Sequence, residues 1–295
     1  MRGLRSRLLT VAIYSLASLV GLVAFFYPFL VPTVASAGGV VHGQDAPLLL
    51  ALLGALSLAA FLFESQGNVA SDAKQMALLG ILVGLNAVLG FLETALPGPG
   101  GFSPVFFLII LGGYTFGLRF GFLLGSLTLF VSALITGGVG PWLPYRMLAA
   151  GWVGATAAGV RAVVRWIHLE DTWGEIGLLV VFGTVWGMLF GALMDLWFWP
   201  YVTGPSEMYW SPGITLGETV RRYLVFYVAT SLFWDLMRSV GTAAMLILFG
   251  QPVLRALRRF ERRFCFRVQR ESVRMRVKAP EVSSSSLNPI GESIS

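Results

Sequence analysis

The chain reads as an all-α, polytopic membrane helical bundle of about eight spans. Three observations predict this. Of its 295 residues, 56% are hydrophobic and only 12% charged, with a mean hydropathy of +0.76. Soluble domains carry about 25% charged residues, so this chain cannot cover a soluble surface and takes lipid as its solvent. Its apolar residues gather in segments near the length of about 20 residues that a helix needs to cross hydrocarbon. Its basic residues cluster, ten of the 21 lying between Arg255 and Lys278 beside the last apolar segment. That placement fits membrane orientation, not a nucleic-acid-binding face.

In chain order, spans are expected near 8–34, 46–63, 75–96, 103–118, 120–136, 145–164, 176–198 and 219–249. The first follows Arg2, Arg5 and Arg7 and precedes Ala35-Ser-Ala37, so it resembles a signal peptide with an A-x-A cleavage site. Signal cores run about 7–15 residues, far shorter than this run, and an uncleaved helix is the preferred reading. The fourth and fifth spans are short and joined by a tight turn, Gly117-Leu-Arg-Phe-Gly121; they are expected either to tilt or to fall short of a full crossing. The last is longer than a bilayer needs and is expected to tilt or project. Residues 1–70 then form two N-terminal helices, 71–252 a six-helix unit, and 253–295 a basic amphipathic segment with a polar tail. The basic segment reads as an orientation signal or as a surface lying on anionic lipid. Ser283–Ser295 has the composition of a disordered tail.

An even number of crossings puts both termini on one side. Arg2, Arg5, Arg7, Lys74, Arg119, Arg161, Arg165 and the Arg255–Lys278 run share that side, which the positive-inside rule makes the cytoplasm of a bacterial plasma membrane. Arg146, Arg221 and Arg222 fall near the opposite face, and Arg238 lies within a span.

Ionisable groups inside apolar helices are costly and mark function or pairing. Glu93, Arg146, Asp195, Arg221 and Arg222 are expected at one depth on the outer side, with Asn86 about two turns deeper than Glu93. Trp142, Tyr145, Trp197, Trp199, Tyr201, Tyr209 and Trp210 share that level. An interfacial belt with snorkelling arginines accounts for the aromatic residues, but acids gain little from an interface. An outward-facing polar cavity accounts for both sets. Asn86, Glu93, Trp142, Tyr145, Arg146, Asp195 and Arg221 are therefore the candidate substrate-binding residues. Asp235 and Arg238, at i and i+3, can neutralise each other as a structural pair or act as a relay. Ala77, Gly80 and Gly84 form a flat strip on the third span where another helix can approach closely.

Other chemistry finds no support. No H-E-x-x-H and no G-x-x-x-x-G-K-[ST] occurs, and paired aspartate clusters for a magnesium diphosphate are missing. A lone Cys265 excludes an intramolecular disulfide and a cysteine zinc cage. His42 and His168 lie far apart in loops, short of the three or four convergent donors a metal site needs. Nothing calls for a cofactor, a metal or catalytic residues.

Three segments carry a resemblance: Pro97-Gly-Pro-Gly-Gly-Phe-Ser-Pro104, Leu111-Gly-Gly-Tyr-Thr-Phe-Gly-Leu-Arg-Phe-Gly121 and Gly140-Pro-Trp-Leu-Pro-Tyr-Arg-Met147. Together they resemble the S components of energy-coupling factor (ECF) transporters, over about residues 75–250. The resemblance implies a subunit that captures a vitamin or related micronutrient from outside, beneath extracellular loops such as Pro97–Ser103. It implies partnership with a transmembrane coupling subunit and two ATPase subunits, with Ala77, Gly80 and Gly84 in the place that meets the coupling subunit. It also implies toppling in the membrane to release substrate. The Gly-Pro-Trp…Met stretch is similar to S components associated with corrinoids or modified-base precursors, which points toward cobalamin-like compounds. The first two spans and the basic tail depart from the six-helix pattern. Two other readings stay open: an ion-coupled secondary transporter working through Asp195, Asp235 and Arg238, and a structural or enzymatic intramembrane protein.

Overall fold

A computed structural model describes residues 2–30, 69–95, 103–202, 205 and 207–277. These form α1 (Arg2–Leu30), α2 (Val69–Ala95), α3 (Val105–Phe116), α4 (Leu118–Thr136), α5 (Leu143–Trp166), α6 (Trp173–Phe198), α7 (Leu216–Thr230) and α8 (Leu232–Val277). A 3-10 turn, Trp199–Tyr201, closes α6, and there is no strand among the described residues. The expected second span at 46–63, the Ala35–Ala37 motif, His42, most of the Pro97–Ser103 loop and the tail from Lys278 lie outside the described residues.

Among the described residues, five helices are long and apolar enough to cross a membrane: those covering Ala73–Phe91, Leu118–Thr136, Leu143–Trp166, Trp173–Tyr201 and Leu232–Arg262. The expected fourth span is different. α3 has 12 residues, about 18 Å at 1.5 Å per residue, shorter than a bilayer core of about 30 Å. Every residue from Val105 to Thr115 is buried. A helix apolar on all sides needs cover on all sides, and here α2, α4, α5, α6 and α8 supply it. α3 is thus the core of the bundle. It joins α4 through one residue, Gly117, whose φ of +94° favours glycine. The expected turn is therefore a single-residue connector, with Arg119 already in the first turn of α4.

Two helix backbones touch where glycines face each other. A Cβ added to Gly121 would sit 2.1 Å from the Gly154 carbonyl oxygen, and one added to Gly154 would sit 2.0 Å from that of Gly121. α4 and α5 therefore pack at main-chain distance, as small residues allow in membranes.

The expected last span divides at Ser231 into α7 and α8. The Thr230 hydroxyl donates 2.7 Å to the Phe226 carbonyl, the back-bonding that bends helices. Beyond it, α8 runs 46 residues through Pro252. Past that proline the helix is tied to the bundle. Arg161 pairs with Glu261 in two bonds of 2.9 and 3.0 Å, and Arg258 bonds both Asp171 and the buried Glu175. The Tyr114 hydroxyl also donates to Glu175.

α1 packs against α5 and α6. Its seam is aromatic: Tyr14 meets Phe122 at 4.9 Å, and Phe25 meets Tyr145 at 5.0 Å between ring centroids. The Trp152 indole N–H donates 2.8 Å to the Ser18 hydroxyl. Gly21 lets Leu148 press against the α1 backbone, since an added Cβ would lie 1.9 Å from its Cδ2.

Candidate functional site

A cavity of about 150 Å³ opens among α2, α3, α4, α5, α6 and α8. Its charged residues come from three helices. Glu93 stands near the end of α2, Arg146 in the first turn of α5, and Arg238 in the second turn of α8. Ser103, Ser132 and Thr136 add hydroxyls, while Val105, Phe106, Leu129 and Phe190 form the apolar wall. Phe106 and Phe190 meet edge to face at 4.9 Å between centroids, a favoured aromatic geometry.

The charges are unevenly satisfied. The Ser103 side chain is the hydrogen-bonding neighbour of Glu93, and Arg238 and Arg146 act on that carboxylate electrostatically. Arg238 pairs with Asp235, three residues before it, and its guanidinium lies 5.5 Å from the Phe190 ring centroid, within cation–π range. The Arg146 side chain is solvent-exposed. It has no direct hydrogen bond or ion pair among the described residues, and it interacts with Glu93 and Arg238 at longer range.

The structure brings together only part of the expected set. Glu93 and Arg146 share the cavity. Asn86 is fully buried and donates 2.9 Å to the Val105 carbonyl and 3.3 Å to the Thr128 hydroxyl, fastening α2 to α3 and α4. Tyr145 sits in the α1 seam, 5.4 Å from Trp197. Trp142 is 41% exposed and its indole donates 3.2 Å to the Gly138 carbonyl. Arg221 pairs with Glu218 at 2.7 Å. Glu218 also accepts from Arg222, and the bonds from the two arginines hold its carboxyl down at about 2. Asp195 belongs to a polar group with Ser231, Asp235 and Arg238, which adjoins the cavity through Arg238. None of Asn86, Trp142, Tyr145, Asp195 or Arg221 lines the cavity.

Sequence reasoning overlooked Arg238, Phe106 and Phe190 as lining residues. The Asp235–Arg238 pair is present as the i,i+3 spacing suggests, but a guanidinium long enough to reach its partner also edges the cavity. That reach was the available signal. The phenylalanines gave none, because they are indistinguishable from core residues in the sequence.

Ala77, Gly80 and Gly84 are all exposed on α2. A Cβ added to Gly80 or Gly84 meets nothing within 4 Å among the described residues. Ile81, Leu85 and Val88, each more than half exposed, flank them.

No curated protein and no solved structure matches the chain significantly. A family model does match, over residues 74–250, described as the ECF transporter substrate-specific component. The matched region starts within α2 and ends within α8, so it contains the cavity and the small-residue strip and leaves out α1. Covering more than half of the chain, it establishes that this membrane protein belongs to the substrate-specific components of ECF transporters.

Proposed function

We propose that this subunit captures a small micronutrient from the outer side of the membrane in the cavity edged by Glu93, Arg146 and Arg238, for an ATP-driven importer. One observation carries the reading: three ionisable side chains from separate helices converge on one cavity within the family-matched region. Charged groups placed in apolar helices are functional by default, and a mostly apolar pocket with a few convergent polar groups is the usual form of a ligand site.

The working partners are a transmembrane coupling subunit and two ATPases. The surface proposed for the coupling subunit is the exposed Ala77–Gly80–Gly84 strip. Both termini are assigned to the cytoplasm, from the distribution of Lys and Arg. The cavity volume favours a compact ligand. About 150 Å³ suffices for a molecule of benzene size, whereas drug-sized ligands occupy about 300–1,000 Å³. A cobalamin-like compound would require the cavity to open well beyond its present size.

The test is uptake in cells and vesicles, with and without the coupling and ATPase subunits. Arg146→Ala should weaken ligand binding about 30-fold or more, since a bound ligand takes this exposed guanidinium out of water and losing one partner of such a contact costs about 2–5 kcal/mol. Binding within about threefold of the parent would place the site elsewhere. A second reading, ion-coupled transport, has its own support: Asp195 and Asp235 each carry a buried carboxylate oxygen with no hydrogen-bond partner among the described residues. Uptake that persists without ATPases and collapses with the ion gradient would favour it.

A further inference from the structure

Resting on the reading of this cavity as the capture site, we infer that its ligand is a small flat organic anion carrying a hydrogen-bond donor away from its acidic group. Three features of the cavity select this class.

The first is charge. Arg146 and Arg238 approach from α5 and α8, close enough to repel each other. Arg238 is already neutralised by Asp235, while Arg146 has no direct partner among the described residues. A carboxylate or phosphate seated against Arg146 completes a planar fork that matches such oxygens in pairs, and it relieves the repulsion from Arg238. The second is the opposite pole. An ionised Glu93 can only accept hydrogen bonds, and Ser103 leaves it room for another donor. A ligand amine, amide or hydroxyl on the far side of the molecule meets that need. The third is shape and size. The Phe106 and Phe190 rings form an apolar wall, which suits a ring, and about 150 Å³ admits one ring with small substituents. A neutral ligand would leave the Arg146 guanidinium desolvated without a counter-charge.

The experiment uses the full-length chain in lipid nanodiscs, titrated calorimetrically with 4-aminobenzoate, its neutral amide 4-aminobenzamide, and benzoate. A hydrogen-bonded charge contact is strong enough that the acid should bind about tenfold or more tighter than the amide. Arg146→Ala should erase that preference. Glu93→Gln should narrow the gap between 4-aminobenzoate and benzoate while the acid-over-amide preference survives. An acid that binds no better than its amide, including the case in which neither binds, overturns the proposal.

Mass spectrometry of the compound retained on purification separates this failure from failure of the capture-site reading. A neutral, cationic or much larger compound that is lost in Arg146→Ala keeps the capture site and removes the anion class. A compound retained equally by the parent, Arg146→Ala and Glu93→Gln removes the site itself.

Discussion

One methyl group decides whether α4 and α5 can meet. At Gly154 an alanine Cβ would lie 2.0 Å from a main-chain oxygen, and no side-chain rotation relieves a clash with backbone. Overpacking of this kind costs about 1–3 kcal/mol, so Gly154→Ala should lower the unfolding temperature of the purified protein by several degrees. Gly80→Ala, with open space among the described residues, should leave it within about a degree of the parent. Equal melting temperatures for the two variants would refute the close approach. At this scale the sequence was partly legible. Ionisable residues in apolar segments stand out because lipid penalises them, and three of them, Glu93, Arg146 and Arg238, do share the cavity. The deeper assumption was that depth alone groups residues. Depth is set along a helix axis, whereas cavity lining depends on the direction a side chain faces around it. Tyr145 follows Pro144 and precedes Arg146, yet it turns into the α1 seam while Arg146 turns to the cavity.

At the scale of elements, hydropathy located the apolar runs and misjudged what some of them do. α3 has the composition of a span and the length of a core helix, and only its complete burial distinguishes the two. The division at Ser231 is equally hidden, since Thr and Ser are ordinary residues in membrane helices until one back-bonds. The cytoplasm-facing clamp, in the proposed orientation, joins distant segments that no local pattern links. Arg258 reaches Glu175 and Asp171 across more than 80 positions in the chain. Glu175 is 2% exposed. Arg258→Ala would leave that carboxylate without its cation, a loss of about 3–5 kcal/mol for a buried pair. Thermal unfolding in nanodiscs should show it as a clear drop, whereas Arg165→Ala, which breaks a pair more than half exposed on both sides, should be nearly silent. If the two variants behave alike, the clamp contributes no more than a surface pair.

For the whole molecule, the family match and the bundle describe a subunit built to meet others. The exposed strip on α2 predicts that Gly84→Leu reduces co-purification with the coupling subunit while ligand binding stays near the parent value, because a leucine side chain separates two backbones that small residues let approach. Intact assembly would show that the partner docks elsewhere. A reporter fused after Ser295 should be active only in the cytoplasm, and activity outside would reverse the orientation drawn from the basic residues. The membrane bundle was legible as a whole because its composition and motifs extend over the matched length. α1 was legible as a helix but not as a partner of α5, since aromatic residues in a span serve lipid, interface and seam alike.

The length of α8 gives the molecule a lever. Its 46 residues measure about 69 Å at 1.5 Å per residue, more than twice the roughly 30 Å of hydrocarbon. The ties through Arg161 and Arg258 lie past Pro252, so α8 is held to the body as far as Glu261. Six further basic residues, Arg263, Arg267, Arg270, Arg274, Arg276 and Lys278, lie beyond Arg262. If the basic end faces the cytoplasm as proposed, rocking of the subunit carries these charges through the field of the inner leaflet, where each Lys or Arg near an anionic surface is worth about 1 kcal/mol. Transport by the complete complex in vesicles should slow as the anionic lipid fraction rises, and truncation after Arg262 should abolish the slowing. A rate indifferent to lipid charge in both proteins would mean the basic end never touches the water's edge.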